Sequence, residues 1–332
     1  MLSRSYFVNH LCLCSQKKFC THCWSNKLQR YWKSRWKQRY RCLKCDSIFI
    51  PKKLDWVSES YNGYAMQRQT YSNLSDELWL DPKTIRKYFC KIPQHTWELP
   101  ILKADSRIST IIDATYFGSR SDWLVIARSH TSLNLTHKFI ESESSESMSL
   151  FLDDYEDAGY IKNTVSFTVD WRKLMIKLLE RRYPGIPIQM CLFHMKSIIK
   201  RYITLSPKTR LWKALNILKK LLWCVKEKSF VRIFETLECK YADFLKSKNT
   251  NWKYEHRRLR STMRSIRYYM PYLHTYSKHT SLFIPRTTSH CDWYFSHLKW
   301  KLEIHRWISR QNRNKVIIYM LEEQNRKTKD LV

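Results

Sequence analysis

The sequence predicts an α+β protein of several domains: a small cysteine-bearing head, a pair of short helices, and a mixed-sheet body interrupted by helices. Three observations predict it. Two CxxC pairs lie within residues 1–54, β-branched runs alternate with amphipathic stretches from Arg107, and an apolar period of helical spacing fills most of 196–280. With 332 residues the chain suffices for two or three domains, and 43% hydrophobic content allows a sizeable core. No apolar run approaches the ~18 residues of a membrane span. The short apolar start is broken by Asn9 and His10, which argues against a secretory leader. A cytoplasmic protein without a membrane partner is expected.

Charge is the strongest global signal. Lys and Arg number 60 against 29 Asp and Glu, a formal +31. Such an excess repels itself unless a polyanion compensates it, and nucleic acid fits better than a ribosomal or membrane-surface role. The 11 cysteines occur in a long chain and partly at metal-ligand spacing, which favours reduced thiols and zinc over a disulfide framework.

In the head, Cys20 and Cys23, then Cys42 and Cys45, form two knuckles separated by room for a β-hairpin. Zinc takes four thiolates in a tetrahedron, and each tight CxxC turn presents two, so the spacing predicts a zinc ribbon over 1–54. Cys12, Cys14, His10 and His22 are not needed as ligands. Between the knuckles, Arg30, Lys33, Arg35, Lys37, Arg39 and Arg41 interleave with Tyr31, Trp32, Trp36 and Tyr40. A hairpin with cations on one face could track a phosphate backbone, while the aromatics pack the small ribbon core.

Residues 55–100 are expected to hold a helix-turn-helix and a linker. Tyr71, Leu74 and Leu78 recur at helical spacing; Asp81 followed by Pro82 is a helix start; Ile85, Tyr88 and Phe89 face inward from a second helix. Lys83, Thr84, Arg86 and Lys87 then lie on the outer face, where DNA contact is expected. An ordinary helical hairpin is the plainer alternative. Pro93 and Pro100 mark the linker.

From 101 to 200 the pattern changes. RISTIIDATYFG, DWLVIARSH and THKFIESE read as a strand meander, SMSLFLDDYEDAGY as a solvated helix, NTVSFTVDW as a fourth strand, RKLMIKLLERRY as an amphipathic helix, and IPIQMCLFHM as a fifth strand. The order β-β-β-α-β-α-β is that of an RNase H-like domain. Asp113 and Asp170 fall at the carboxyl ends of two of these strands. Paired acids there suit two-metal phosphoryl chemistry, because hard Mg²⁺ takes oxygen ligands. Taken singly, each Asp could simply cap a strand.

The strings IIDATYFG, FTVDW, IQMCLFHM and IPRTTSHCDWYFSHLKWKLEIHRWISR, in that order, resemble bacterial Mutator-like DDE transposases, and the resemblance runs from the ribbon to about Leu321. It implies that Asp113 and Asp170 are the first two catalytic acids. It also implies that Asp292 stands where the family has a Glu, after the turn formed by Thr287, Thr288 and Ser289. Cys191 and His194 match the family's CxxH signature; a supporting place beside the active site is expected for them, since two ligands do not make a zinc site. The resemblance further implies an all-helical insertion over 201–280, with the catalytic domain resuming over 281–332. Within the insertion, Arg257, Arg258, Arg260, Arg264 and Arg267 cluster as candidate DNA contacts, and the tryptophans are expected to pack.

The implied activity is DNA transposition. Transposon ends in double-stranded DNA are cleaved and joined to target DNA, with Mg²⁺ (or Mn²⁺) held by Asp113, Asp170 and Asp292 and Zn²⁺ in the ribbon. A homodimer or higher multimer on the nucleoid is expected, since two ends must meet. Two rivals remain: a transposase-derived DNA-binding protein whose nuclease has decayed, for which Asp292 in place of Glu speaks, and an RNase H-like nuclease acting on RNA.

Overall fold

In a computed structural model of the chain, the described residues are 20, 23, 25, 27–34, 37–49, 55–92, 99–118, 122–170, 173–202, 209–305 and 308–329. Arg35, the linker at 93–98 and the spare ligands of the first twenty-two positions lie outside them. The chain divides into two compact units: the described part of Met1–Trp97 with Leu298–Leu321, and Glu98–His297 with the described part of Glu322–Val332. No described helix is long and apolar enough to cross a membrane.

The first unit opens with β1 (Leu28–Ser34), β2 (Lys37–Cys42) and β3 (Ile48–Phe49), a three-stranded antiparallel sheet in that order. Among the described residues its buried core is Cys20, Tyr40, Cys42 and Phe49, with Cys23 and Leu28 packed against it. The aromatics do not all pack there as expected. Trp32 is 56% exposed and Tyr31 37%, and both lie where the β1–β2 pairing is irregular, between Arg30 and Lys33.

Three helices follow, where the sequence reading placed two. α1 (Asp55–Met66) precedes the pair that the sequence reading placed. Its buried Val57, Tyr61, Tyr64 and Ala65 keep helical spacing. α2 (Tyr71–Leu78) starts on a Thr70–Asn73 capping box and ends on Trp79 in the left-handed conformation, φ 54°. α3 (Pro82–Lys91) begins where Asp81 accepts the Lys83 amide at 2.7 Å. Leu74, Ile85 and Phe89 face inward, as the period predicts. The later chain joins this cluster: His305 Nε2 lies 3.0 Å from the Tyr64 carbonyl, and Tyr319 packs edge-on against Tyr61.

The second unit is built on a mixed five-stranded sheet. β4 (Ile108–Tyr116), β5 (Trp123–Ser129) and β6 (Asn134–Ile140) form an antiparallel meander; after α4 (Ser145–Asp157) come β7 (Thr164–Val169), α5 (Lys173–Arg182) and β8 (Ile188–Met190). The strand order is β6-β5-β4-β7-β8, with β7 parallel to both β4 and β8. The element order follows the sequence pattern closely. The fifth strand does not. It stops at Met190, and α6 (Leu192–Tyr202) begins at once, so the segment after Met190 is helical rather than extended.

Beyond α6 lie α7 (Arg210–Leu221), α8 (Glu227–Lys240), α9 (Ala242–Lys246), α10 (Arg257–Leu273) and α11 (Thr275–Lys278), the helical stretch the apolar period predicts. Their buried Leu211, Leu215, Phe230, Phe234 and Met263 belong to the same core as Phe151, Phe167 and Ile176 of the sheet layer. α12 (Ser289–Leu302) and α13 (Arg310–Lys329) close the chain. The tryptophans divide: Trp123, Trp212 and Trp223 pack, partly buried, against this core as expected, whereas Trp79, Trp252 and Trp293 are 93%, 80% and 67% exposed.

Candidate active site and metal centre

The sulfur site is the simplest to build. The Cys20 amide donates to the Ser25 carbonyl at 2.9 Å, and the Asp46 amide donates back to Cys42 at 2.9 Å, closing each knuckle as a tight turn. Cys20 Sγ lies 3.5 Å from Cys45 Sγ, and Cys23 Sγ 3.4 Å from Cys42 Sγ. All four sulfurs lie within 4.8 Å of one another. Among the described residues no other group of His, Cys, Asp and Glu meets that test. Ser47 hydrogen bonds draw the Cys45 thiol down to about 6. Against a Ser25 backbone hydrogen bond, burial and the neighbouring sulfurs push Cys23 up to about 12. Four crowded thiols that cannot all ionise by themselves suit one divalent, thiophilic cation, and the cluster can hold zinc.

The three expected acids come from three distant segments, and they do not all lie close enough to meet that same test. Ile112 of β4 pairs with Val169 of β7, so Asp113 and Asp170 come next in register, side by side on parallel neighbours. Asp170 stands just past the end of β7, as expected. Asp113 does not end its strand: β4 runs on to Tyr116 because it keeps pairing with β5, where Asp113 faces Ile126. It sits instead at the carboxyl limit of the β4–β7 pairing. Asp292 arrives on the first turn of α12.

Thr288 ties α12 to the sheet. Its amide donates to Cys191 Sγ at 3.3 Å, and its hydroxyl lies 3.5 Å from that sulfur, 3.4 Å from His194 Nδ1 and 3.4 Å from Asp292 Oδ2. A hydroxyl has one proton to donate, so these contacts share it. The preceding strand-like segment is pinned too, with Thr168 Oγ1 donating to the Pro285 carbonyl at 2.9 Å and the Leu192 amide to Arg286 at 3.0 Å. A turn later, buried Arg128 of β5 lies 4.2 Å from the Tyr294 ring. These contacts fix where Asp292 stands.

Asp113 is the electrostatic centre. It is 6% exposed; Oδ1 accepts the Ala114 amide at 2.9 Å, and Oδ2 is buried without a hydrogen-bond partner. Burial, then the charges of Asp170 and Asp292, push its carboxyl well above the ordinary range, with His194 opposing. His194 is itself raised to about 9: burial works against its charge, but Cys191, Asp113 and Asp170 outweigh it. Cys191 is lowered, since hydrogen bonds from His194 and Thr288 overcome burial. The CxxH pair is therefore one turn of helix placing a cation beside the acids.

A cavity at this end of the sheet is lined by Asp113 and Asp170 together with Glu143, Met148 and Leu174. The sequence offered no signal for Glu143, which lies among the other acids of a polar loop. Thr288 was legible only as part of a turn.

The basic candidates scatter differently. Lys83, Arg86 and Lys87 are exposed on α3, as are Arg257, Arg258 and Arg264 on α10. Arg39 stacks over Trp32 at 4.6 Å, Arg41 pairs with Asp46 at 2.5 Å, and Lys37 lies on β2. Arg260 is turned to structural use: it lies 3.5 Å over the Tyr254 ring and donates to the Leu245 carbonyl at 2.8 Å. Arg267 is engaged by Glu235 and Glu238.

Among solved structures, the chain is similar to the Drosophila P element transposase strand transfer complex, at 15% identity and a TM-score of 0.30, covering 73% of this chain. It spans 64% of that protein's chain, under two thirds of its length. No known protein-family profile matches the chain, and no curated protein does.

Proposed function

We propose that this chain is a DNA transposase of the DDE type, an RNase H-like polynucleotidyl transferase in which Asp113, Asp170 and Asp292 hold Mg²⁺ or Mn²⁺. One observation carries the reading: Asp113 buries a carboxylate oxygen with no hydrogen-bond partner, in register beside Asp170 and within electrostatic reach of Asp292. An all-oxygen donor set that repels itself and leaves an oxygen unsatisfied fits a hard divalent cation. Such an ion, when bound, supplies neutralisation of the phosphoryl charge and activation of the attacking oxygen.

The chain's own residues do the positioning. Asp113 is held rigid inside a paired strand, Asp170 follows from the next strand, and Thr288 orients Asp292 while sharing its hydroxyl with the Cys191–His194 pair. His194, cationic at neutral pH, tempers the repulsion among the acids. The strand order and its mixture of antiparallel and parallel pairs support the RNase H-like assignment.

A net charge of +31 supports double-stranded DNA as the partner. In this reading the zinc ribbon (1–54) and helix-turn-helix (55–100) recognise transposon ends through Arg39 and the exposed Lys83, Arg86 and Lys87. The catalytic segments (101–200 and 281–332) act on the phosphodiester, and the helical insertion (201–280) adds Arg257, Arg258 and Arg264. A homodimer or higher multimer brings two ends together.

The test is cleavage of a supercoiled plasmid with Mg²⁺ or Mn²⁺. Asp292→Ala is expected to lose on the order of 10³-fold in rate with unchanged folding, a loss of the size seen when one transition-state-stabilising group is removed. Asp292→Glu, one methylene longer, is expected to retain or raise activity. Undiminished cleavage by Asp292→Ala would show that the third acid is another residue.

A further inference from the structure

A tryptophan buries a large apolar surface when it packs, and a sequence that leaves one in solvent forgoes that stabilisation. Trp252, between α9 and α10, is 80% exposed. It also adopts φ 56°, a left-handed conformation that suits Gly or Asn and is unfavourable for a bulky residue. Two unfavourable features at one residue point to a use outside the fold.

The turn that carries Trp252 is firmly built. Lys248 and Tyr254 form an antiparallel bridge. Asn249 Oδ1 accepts the amides of Asn251 at 3.1 Å and Lys253 at 3.0 Å, and the Trp252 amide donates to the Asn249 carbonyl at 2.9 Å. Beneath it, Tyr254 is clamped by the Arg260 guanidinium, 3.5 Å from its ring. The base is therefore fixed while the indole projects. Its surroundings are cationic: Lys248 Nζ lies 5.2 Å from the indole, Lys253 follows it, and Arg257 and Arg258 open α10, whose amino terminus adds its own positive end.

A flat π-face standing among lysines and arginines matches a nucleobase with its phosphates. In intact duplex both faces of every base are already stacked on neighbours, so the fitting ligand is an unpaired base. We infer that Trp252 stacks on an unpaired base of DNA, while Lys248, Lys253 and Arg257 engage the adjoining phosphates. The inference rests on the proposed function only in taking DNA as the ligand. Its place would be wherever cleavage or distortion leaves single-stranded nucleotides beside the helical insertion.

The experiment compares the full chain with Trp252→Ala and Trp252→Phe on two probes, a blunt duplex and the same duplex with a single-stranded 3′ extension carrying a fluorescent aminopurine. Trp252→Ala should weaken binding of the extended probe roughly tenfold, the scale of one base–aromatic stack. Blunt-duplex binding should be unchanged, and Trp252→Phe should restore most of the difference. Aminopurine fluorescence should be quenched by the wild type and not by Trp252→Ala. Equal loss on both probes, no loss on either, or a changed oligomeric state with unaltered DNA binding would overturn the stacking role. Absence of blunt-duplex binding by the wild type would instead overturn the DNA reading beneath it.

Discussion

The cysteine head and the proposed carboxylate site are built by opposite strategies. The four sulfurs come from two short turns on either side of one hairpin, so ligand geometry and local fold are the same thing. The three acids come from β4, the end of β7 and the start of α12, and no local feature of any one segment requires the other two. At the first site few other described residues are buried, so a bound ion would organise the fold. The second is organised by a fold that already has a large core, and it strains that fold: Asp113 is desolvated and repelled by its neighbours. Under the proposed function, a metal would be structural in one region and would relieve repulsion in the other.

The sharpest way to break that comparison is Cys42→Ser. It should abolish zinc binding and lose the order of the ribbon, seen as collapse of its amide spectrum, while the sheet of the second unit keeps its melting temperature. A ribbon that stays ordered without zinc would end the contrast.

Asp113→Asn should act in the other direction. In chelator, removing a buried, repelled carboxylate should raise the melting temperature by about 2–4 °C for each kcal/mol of repulsion relieved. The pH dependence has a definite sign. Because Asp113 has its folded pKa raised above the unfolded one, the native state binds more protons, and this group's contribution falls as pH rises above the ordinary carboxylate range. Asn at that position should flatten that slope, as calorimetry across pH would register; an unchanged slope would remove Asp113 from the account of strain.

The smallest effect concerns acid release of zinc. Thiolates are the ligands, so protons compete with the ion, and zinc is expected to be held at neutral pH and released as the pH falls into the acidic range. Titration with a chromophoric chelator follows it. Release already at neutral pH would mean that the cluster is looser than its geometry.

The same contrast explains what the sequence made legible. CxxC spacing, the Asp81 cap and the alternation of strands and helices are local signals, and the described head, α3 and five-stranded sheet follow them. α1 was not among the expected helices, although Val57, Tyr61, Tyr64 and Ala65 keep helical spacing on its buried side. The end of β8 was missed because IPIQMCLFHM is apolar in both periods, and strand and helix cannot be told apart in so short a run. The exposure of Trp252 and Trp293 was invisible, since composition records that an indole is present and says nothing of what covers it. The approach of Asp170 and Asp292 to within electrostatic reach of Asp113 depends on register and on Thr288's contacts, which are tertiary; strand ends suggested Asp113 and Asp170, and only resemblance pointed to Asp292.

The most direct test of the central claim is to locate a divalent ion. Crystals grown with Mn²⁺ should give anomalous density between Asp113 and Asp170, approached by Asp292, and Asp113→Asn crystals should lose it. Density confined to the four cysteines, or a carboxylate peak that persists in Asp113→Asn, would contradict the assignment of these three acids as the catalytic metal site.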